Sequence, residues 1–277
     1  MLSSPRTRAE GGPVTDAPNT DVEVFAKAIA ERHRNRERFT LEAPTGRAGD
    51  LAFGYAAQAA LLPLLAGGPP QIVGWKIGLT TKRMQQMCGV DEPIVGAVLA
   101  GRIHPAPARV AVAAYVRLGV ESEIALRIAR PFPDGEVSPE EALAHVDQVC
   151  AAFELVDDSG ADYAHLSAMT LVADNAWNAG LVLGPPGDAA GTGGLAGRKG
   201  VLRRGGEVVD EGSSSDVLGD PARALAWLAA HLARAGQPLR PGQWVSTGSI
   251  VPTKFVESGQ AWRFEVEGLA PVELALD

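Results

Sequence analysis

Between residues 115 and 129, apolar and polar side chains alternate along the chain. One face carries Val116, Leu118, Val120, Ser122, Ile124, Leu126 and Ile128; the other carries Tyr115, Arg117, Gly119, Glu121, Glu123, Ala125 and Arg127. A period of two, bounded downstream by Pro131 and Pro133, predicts a half-buried β-strand. Side chains two apart leave a strand on the same face, so Glu121 and Glu123 project together. Two such charges roughly 6 to 7 Å apart repel by about 2 to 3 kcal/mol at an effective dielectric near 20. Open water relieves that repulsion cheaply, and acids on the outer face of a strand are ordinary. In a cleft, a divalent cation would be the natural counter-charge.

The same patterns partition the rest of the chain. Residues 21–38 place Val24, Phe25, Ala28, Ile29 and Ala30 at helical spacing. Residues 50–65 predict a second helix, with Asp50 at its N-cap and the run ALLPLLAGGPP ending it. Apolar runs at 71–79, 95–100 and 108–114 predict strands, with a helix over 81–88 that starts near Thr81. Ser138, Pro139 and Glu141 form a capped helix start. That helix reaches about residue 146 and leads into an apolar strand at 149–156, which carries a single charge, Glu154. Asp174 and Asn175 interrupt an apolar run at 169–184, and the Gly-rich stretch 184–200 reads as a connection. Asp220 and Pro221 open the clearest helix, which ends at Gly236 with Leu225, Leu228, Ala229 and Leu232 as its core stripe. Alternation resumes at 244–249, at Trp262, Phe264 and Val266, and at Val272, Leu274 and Leu276. The sum is an α+β protein with a large mixed or antiparallel sheet system toward the C-terminus. Residues 1–20, rich in Pro, Gly, Ser and Thr, read as a disordered leader. Residues 21–70 read as a small helical part, and residues 71–277 as the main strand-rich domain.

Composition narrows the class. A chain of 277 residues with 46% hydrophobic and 21% charged side chains is ordinary for a soluble globular protein. A net charge of −8 argues against nucleic acid or an anionic membrane as the main partner. There is no run of about 18 apolar residues, and the leader lacks the apolar core of a secretory signal, so a cytoplasmic protein is expected. Cys88 and Cys150 have no paired spacing, which fits a reducing compartment and gives neither a disulfide framework nor a zinc cluster.

Three acids stand out because each breaks a strand pattern: Glu121, Glu123 and Glu154. Their two strands are joined by one capped helix, a connection able to set them side by side. Three converging carboxylates need a cation, and oxygen-only ligands select Mg²⁺, Mn²⁺ or Ca²⁺ over zinc. Lys76 stands as one cation among Trp75, Ile77 and Leu79. It either snorkels to water, or serves as counter-charge to an anionic substrate or as a proton carrier tuned by burial. The hydroxyls of residues 246–249 (STGS) sit at a strand end, where they are more often structural than nucleophilic. The chain has no phosphate-binding glycine loop, no dinucleotide glycine pattern after a strand and no nucleophile elbow, and its five histidines are scattered.

The stretches GWKIGLTTKRMQQMCGVDEPIVGAVLAGRIH, FELVDD, VADNAWNAGLVLG and STGSIVPTKFVESGQ, with the ESE between the first two, resemble the fumarylacetoacetate hydrolase superfamily. Within it they resemble the branch of 2-oxopent-4-enoate hydratases and 4-oxalocrotonate decarboxylases. The resemblance runs in order from about Asp21 to the C-terminus. It implies a mixed β-sheet roll, homo-oligomers that include complexes with a pathway partner enzyme, and Mg²⁺ or Mn²⁺ held by Glu121, Glu123 and Glu154. It places Lys76 beside the substrate, Asp174 and Asn175 on the pocket wall, and Thr247 and Ser249 at the rim; Trp177, just after them, either lines the pocket or fills the core. The implied activity is hydration of a small 2-hydroxy-2,4-dienoate in aromatic catabolism. The alternatives are decarboxylation of 4-oxalocrotonate, acylpyruvate-type C–C hydrolysis (for which the chain offers no convincing His-Glu dyad) and a non-catalytic partner subunit. The chain departs from the family at two places. Trp177 stands where the family often has small residues, and Asp158 where it tends to have a basic or small one.

Overall fold

A computed structural model of the protein describes residues 20–277. The predicted leader therefore lies outside the described residues, apart from Thr20, which opens α1 (Thr20–Asn35). The buried face of α1 is Val22, Phe25, Ala26, Ile29 and Ala30 with Arg32, one step round from the predicted stripe; Val24 and Ala28 face solvent. Val22, Phe25, Ala26 and Ile29 keep the i, i+3, i+4, i+7 rhythm, which Val24 does not share. Helix α2 (Leu51–Ala66) starts as expected, with the Asp50 carboxylate accepting from the Phe53 amide at 3.0 Å. It runs through Pro63 to Ala66, one residue past the expected end, and closes where Gly67 turns left-handed at φ 69°.

The remaining elements are β1 (Ile72–Gly78), α3 (Lys82–Met87), β2 (Ile94–Leu99), β3 (Ile103–Pro105), β4 (Ala108–Val110), β5 (Leu118–Ile128), α4 (Pro139–Leu143), β6 (Val146–Asp157), α5 (Ala168–Ala173), β7 (Asn178–Leu183), β8 (Gly187–Asp188), α6 (Ala189–Thr192), β9 (Lys199–Arg204), β10 (Glu207–Ser213), α7 (Pro221–Arg234), β11 (Trp244–Ser246), β12 (Val251–Phe255), β13 (Ala261–Val266) and β14 (Val272–Leu276). The larger sheet has the order β2-β1-β11-β5-β6-β7-β3, with β12 added to β5 and β8 to β6. It is mixed: β1 with β11 and β3 with β7 are parallel, and the other pairs are antiparallel. The smaller sheet has the order β10-β9-β13-β14-β4. Strand β2 also packs against β7, so the larger sheet curls toward closure. The predicted α+β class and mixed β-roll are the observed architecture.

Several local predictions are revised. Strand β5 is not half-buried: Glu123 and Ala125, on its supposedly polar face, are fully buried. Ile124 and Leu126 pack on one side with Leu228 of α7 and with Phe264 and Leu274 of the smaller sheet. On the other side the curl of the roll brings Ala125, Cys150 and Ala152 against Val98, Leu181 and Leu183. The strand expected over 108–114 stops at Val110, and the helix expected to reach residue 146 stops at Leu143. Two features had no clear local signal. Strand β12 contains Pro252, and β9 and β10 form a hairpin about Gly205 and Gly206. Helices α1, α2 and α5 share a core in which Phe25, Ile29, Phe53 and Leu61 meet Met169 and Ala173. Among the described residues, no helix is long and apolar enough to cross a membrane.

The β1–β11 contact is tight enough to test. A Cβ added at Gly74 would lie 2.6 Å from the Trp244 carbonyl oxygen, a backbone atom that cannot swing away. Gly74→Ala should cost about 1 to 3 kcal/mol as an overpacked contact, read as a lower denaturant midpoint at unchanged m-value.

Candidate active site

The β5–β6 ladder sets Glu121 directly opposite Glu154 and Glu123 opposite Ala152. Opposed residues of an antiparallel pair share a face, as do residues two apart on one strand. The three carboxylates therefore point to the inside of the roll, with one oxygen from each lying within 4.8 Å of the others. Glu123 and Glu154 have no exposed surface. Lys76, at the centre of β1, is paired with Ser246 of β11, which is paired with Ala125 of β5. That register carries Lys76 onto the acid face, where its Nζ lies 3.2 Å from Glu154 Oε1.

The acids are held by short bonds from neighbouring strands and turns. Ser246 Oγ donates to Glu123 Oε2 at 2.5 Å, and the Gly248 amide donates to the same oxygen at 2.8 Å. Thr253 Oγ1 donates to Glu121 Oε1 at 2.6 Å, and Asn178 Nδ2 to Glu154 Oε1 at 2.9 Å. None of these four groups was singled out from sequence for an acid. Ser246 and Gly248 lie in the STGS stretch, and Asn178 lies three residues after Asn175, so the motifs contained them without revealing their partners. Gly248 sits at φ 122°, and a Cβ there would meet the Thr80 side chain at 2.5 Å, so the turn that delivers its amide requires glycine.

Burial dominates the electrostatics. It raises the Glu123 carboxyl well above its ordinary range, and the neighbouring charges of Glu154 and Glu121 push the same way. Burial also lifts Glu154, to about 7, against the opposing pull of Lys76. For Lys76 burial favours the neutral amine, but the three glutamates together outweigh it and raise its pKa. Two carboxylate oxygens, Glu123 Oε1 and Glu154 Oε2, are buried without a partner. Unpartnered buried acceptors of this kind are costly. Together with the all-oxygen donor set, they fit a hard divalent cation.

The other anticipated residues lie in different settings. Asp174 is buried against Arg32 and His33 of α1. The Asn175 amide brackets β2, its Oδ1 accepting from the Ala97 amide at 2.7 Å and its Nδ2 donating to the Ala97 carbonyl at 2.9 Å. Trp177 is buried with its ring edge-on to Phe39 and Tyr163, its Nε1 without a partner. It clusters with Leu79, Ile94 and Val156. Val156 follows Glu154 by two on β6, and Ile94 is opposite Gly78, two beyond Lys76, so this apolar group adjoins the acids on their own face. Thr247 Oγ1 donates to the Ile124 carbonyl, and Ser249 Oγ accepts from the Ser122 amide and donates to the Val251 carbonyl. Both hydroxyls thus tie the β11–β12 turn to β5. Asp158 is buried and held by Arg117, the Tyr163 hydroxyl and the Gly160 amide.

A roll of two mixed sheets with three acids and a lysine on its inner face defines a class, and comparison with known proteins identifies it. Residues 92–276 match the fumarylacetoacetate hydrolase C-terminal family. The chain is 31% identical to a 2-keto-4-pentenoate hydratase of Paraburkholderia phymatum, over 91% of this chain and 95% of that one. It is 29% identical to a 2-hydroxyhexa-2,4-dienoate hydratase of Comamonas testosteroni, over 76% and 80%. The structure of 4-oxalocrotonate decarboxylase from Pseudomonas putida G7, complexed with magnesium and adipate, shares the fold with a TM-score of 0.85 at 24% identity, over 94% of this chain and 99% of that one. The chain belongs to the fumarylacetoacetate hydrolase family, as the segments around Lys76 and the three glutamates implied.

The raised carboxyls predict an unusual pH profile for the metal-free protein. Between the ordinary glutamate value of 4.5 and about 7, Glu154 is protonated when folded and ionised when unfolded. The folded state then binds more protons, so stability falls as pH rises through that window. Thermal melts of EDTA-treated protein from pH 5 to 7.5 should show this fall, and Glu154→Gln should make it shallower, the remainder coming from the raised Glu123. A divalent cation should reverse the trend, because ligand carboxyls must lose their protons to bind.

Proposed function

We propose that the protein is a divalent-metal-dependent hydro-lyase that adds water to a 2-hydroxy-2,4-dienoate, giving a 4-hydroxy-2-oxo acid. The supporting observation is the set of half-buried Glu121 and buried Glu123, Glu154 and Lys76 on one sheet face. The three glutamates would hold Mg²⁺ or Mn²⁺, which accept all-oxygen ligation. When bound, the cation supplies Lewis acidity that stabilises negative charge at the substrate's 2-oxygen. In the metal-free protein the glutamates raise the pKa of Lys76, and its Nζ, 3.2 Å from Glu154 Oε1, is placed to donate a hydrogen bond and offer positive charge to the substrate carboxylate. In the reaction a proton leaves the 2-hydroxyl and one is gained at C5; water then gives hydroxyl to C4 and a proton to C3. The buried floor of Ala125, Cys150, Ala152 and Leu181 keeps bulk water away from the acids, which strengthens every charge interaction among them.

Two observations favour hydration over decarboxylation. The relatives at 31% and 29% identity are named hydratases, whereas the decarboxylase stands at 24%. The end of the acid face is closed by Leu79, Ile94, Val156 and Trp177, and the nearby guanidinium of Arg117 is engaged by Asp158. A monocarboxylate with a short apolar end suits that wall, whereas the second carboxylate of 4-oxalocrotonate would meet no counter-charge on those side chains. With Mg²⁺ and 2-hydroxypenta-2,4-dienoate, the dienol absorbance should disappear without release of CO₂. Faster turnover of 4-oxalocrotonate with CO₂ evolution would instead make the protein a decarboxylase. Glu123→Gln should abolish Mn²⁺ binding and nearly all turnover while leaving the circular dichroism spectrum intact; parental Mn²⁺ affinity in that variant would reject the ligand assignment.

A further inference from the structure

On the hydro-lyase reading above, we infer that Asp158 is a specificity-determining residue. By holding Arg117 it withholds the counter-charge that a second carboxylate on the substrate would need, and so fits the site to 2-hydroxydienoates that carry a single carboxylate.

A run of contacts leads from the acids to this ion pair. Gly119 is opposite Val156 on the β5–β6 ladder, the next position on the acid face after Glu121 and Glu154. Thr253, which donates to Glu121, and Phe255 flank Gly119 from β12. A Cβ on that glycine would lie 2.9 Å from Thr253 Cγ2 and 3.5 Å from the Phe255 ring. On the other side Val156 joins Trp177 in the apolar cluster, and the Trp177 ring meets that of Tyr163 at 5.7 Å. Both walls end on the same pair. The Arg117 guanidinium lies over the Phe255 ring, 4.3 Å from its centroid, and the Tyr163 hydroxyl donates to Asp158 at 3.0 Å. Arg117 precedes Glu121 by four residues, about 13 Å of extended chain. A substrate held at the glutamates and extended along this face brings its far end toward Arg117 and Asp158.

Asp158 grips the guanidinium with both oxygens. Oδ1 accepts from Arg117 Nε at 2.7 Å and from the Gly160 amide at 2.9 Å, and Oδ2 accepts from Arg117 Nη2 and the Tyr163 hydroxyl. Arg117 Nη2 also donates to the Ala161 carbonyl at 3.2 Å. Asp158 has no exposed surface, whereas 37% of the Arg117 side chain is exposed. A bidentate pair of this kind is strong, and it carries no net charge. A substrate carboxylate arriving beside it would lose water without gaining a counter-charge. An apolar chain end meets Phe255, Val156 and Trp177 at no such cost. With the Asp158 charge removed, the same guanidinium, still laid over Phe255, becomes a carboxylate partner. One side chain therefore decides between a monoacid and a diacid, and it does so by excluding the diacid.

The test uses the full chain with Mg²⁺, titrated calorimetrically with 2-oxohexanoate and 2-oxohexanedioate, which differ only in a methyl or a carboxylate at the far end. The parent should bind the monoacid about tenfold or more tightly than the diacid. Equal or tighter binding of the diacid by the parent would overturn the inference before any variant is made. Asp158→Asn, which keeps the side chain's shape and removes its charge, should move the ratio of the two affinities about tenfold or more toward the diacid. The double variant Asp158→Asn/Arg117→Gln should return the ratio to near the parental value, a coupling that a purely structural role for Asp158 would not produce. A ratio unmoved in Asp158→Asn, or moved equally with and without Arg117, would overturn the assignment. Binding of neither acid would overturn the hydro-lyase reading and this inference together, whereas binding of both at an unswitched ratio overturns this inference alone.

Discussion

Holding three carboxylates within 4.8 Å of one another, two of them fully buried and Glu121 half-buried, is the constraint to which the rest of this structure answers. Like charges at that spacing repel strongly once water is excluded, and each oxygen taken from solvent needs a donor. The roll supplies them from different elements: Lys76 from β1, Ser246 and the Gly248 amide from β11 and its turn, Thr253 from β12, and Asn178 from β7. The sheet order places these elements around the central β5–β6 pair. Even so, one oxygen each of Glu123 and Glu154 is left unpartnered, and a cation resolves that deficit together with the repulsion.

The segment after α5 extends this support outward. Four of the five residues 174–178 act in different directions. Asp174 anchors α1 through Arg32 and His33, Asn175 stitches β2 to the roll, Trp177 fills the space between Phe39 and Tyr163, and Asn178 reaches Glu154. Sending adjacent side chains to such divergent targets requires a backbone that turns sharply, which explains three consecutive left-handed residues without glycine. The N-terminal helices are thereby tied to the acid site through hydrogen bonds as well as apolar packing.

Shape alone does not choose the chemistry. The roll is shared with a decarboxylase at a TM-score of 0.85 and 24% identity, whereas the relative at 31% identity is named a hydratase. A site that stabilises charge at a 2-oxygen can serve either reaction, so discrimination falls to what surrounds the far end of the substrate. Beside the acids here stands the apolar cluster of Leu79, Ile94, Val156 and Trp177, and Arg117 is paired with Asp158.

What the sequence determined by itself was local. The period of two in β5 put Glu121 with Glu123 on one face, and the apolar run of β6 marked Glu154 as its single charge. The caps at Ser138 and Asp220 located α4 and α7. The family segments around Lys76 supplied the roll and the metal chemistry as expectations. Tertiary structure decided the rest. An alternating strand announces one polar face, but closure of the roll buried that face in β5. Pro252 hid β12, whose ladder with β5 follows only from the path of the chain. The donors to Glu123 lie 123 and 125 residues away, and Arg32 lies 142 residues from Asp174. Sequence periodicity reports neighbours two to four residues apart because it records which way side chains leave one strand or helix. Which strands lie side by side, and so which distant donors reach a buried acid, is set by sheet order and register, and no local pattern carries that information.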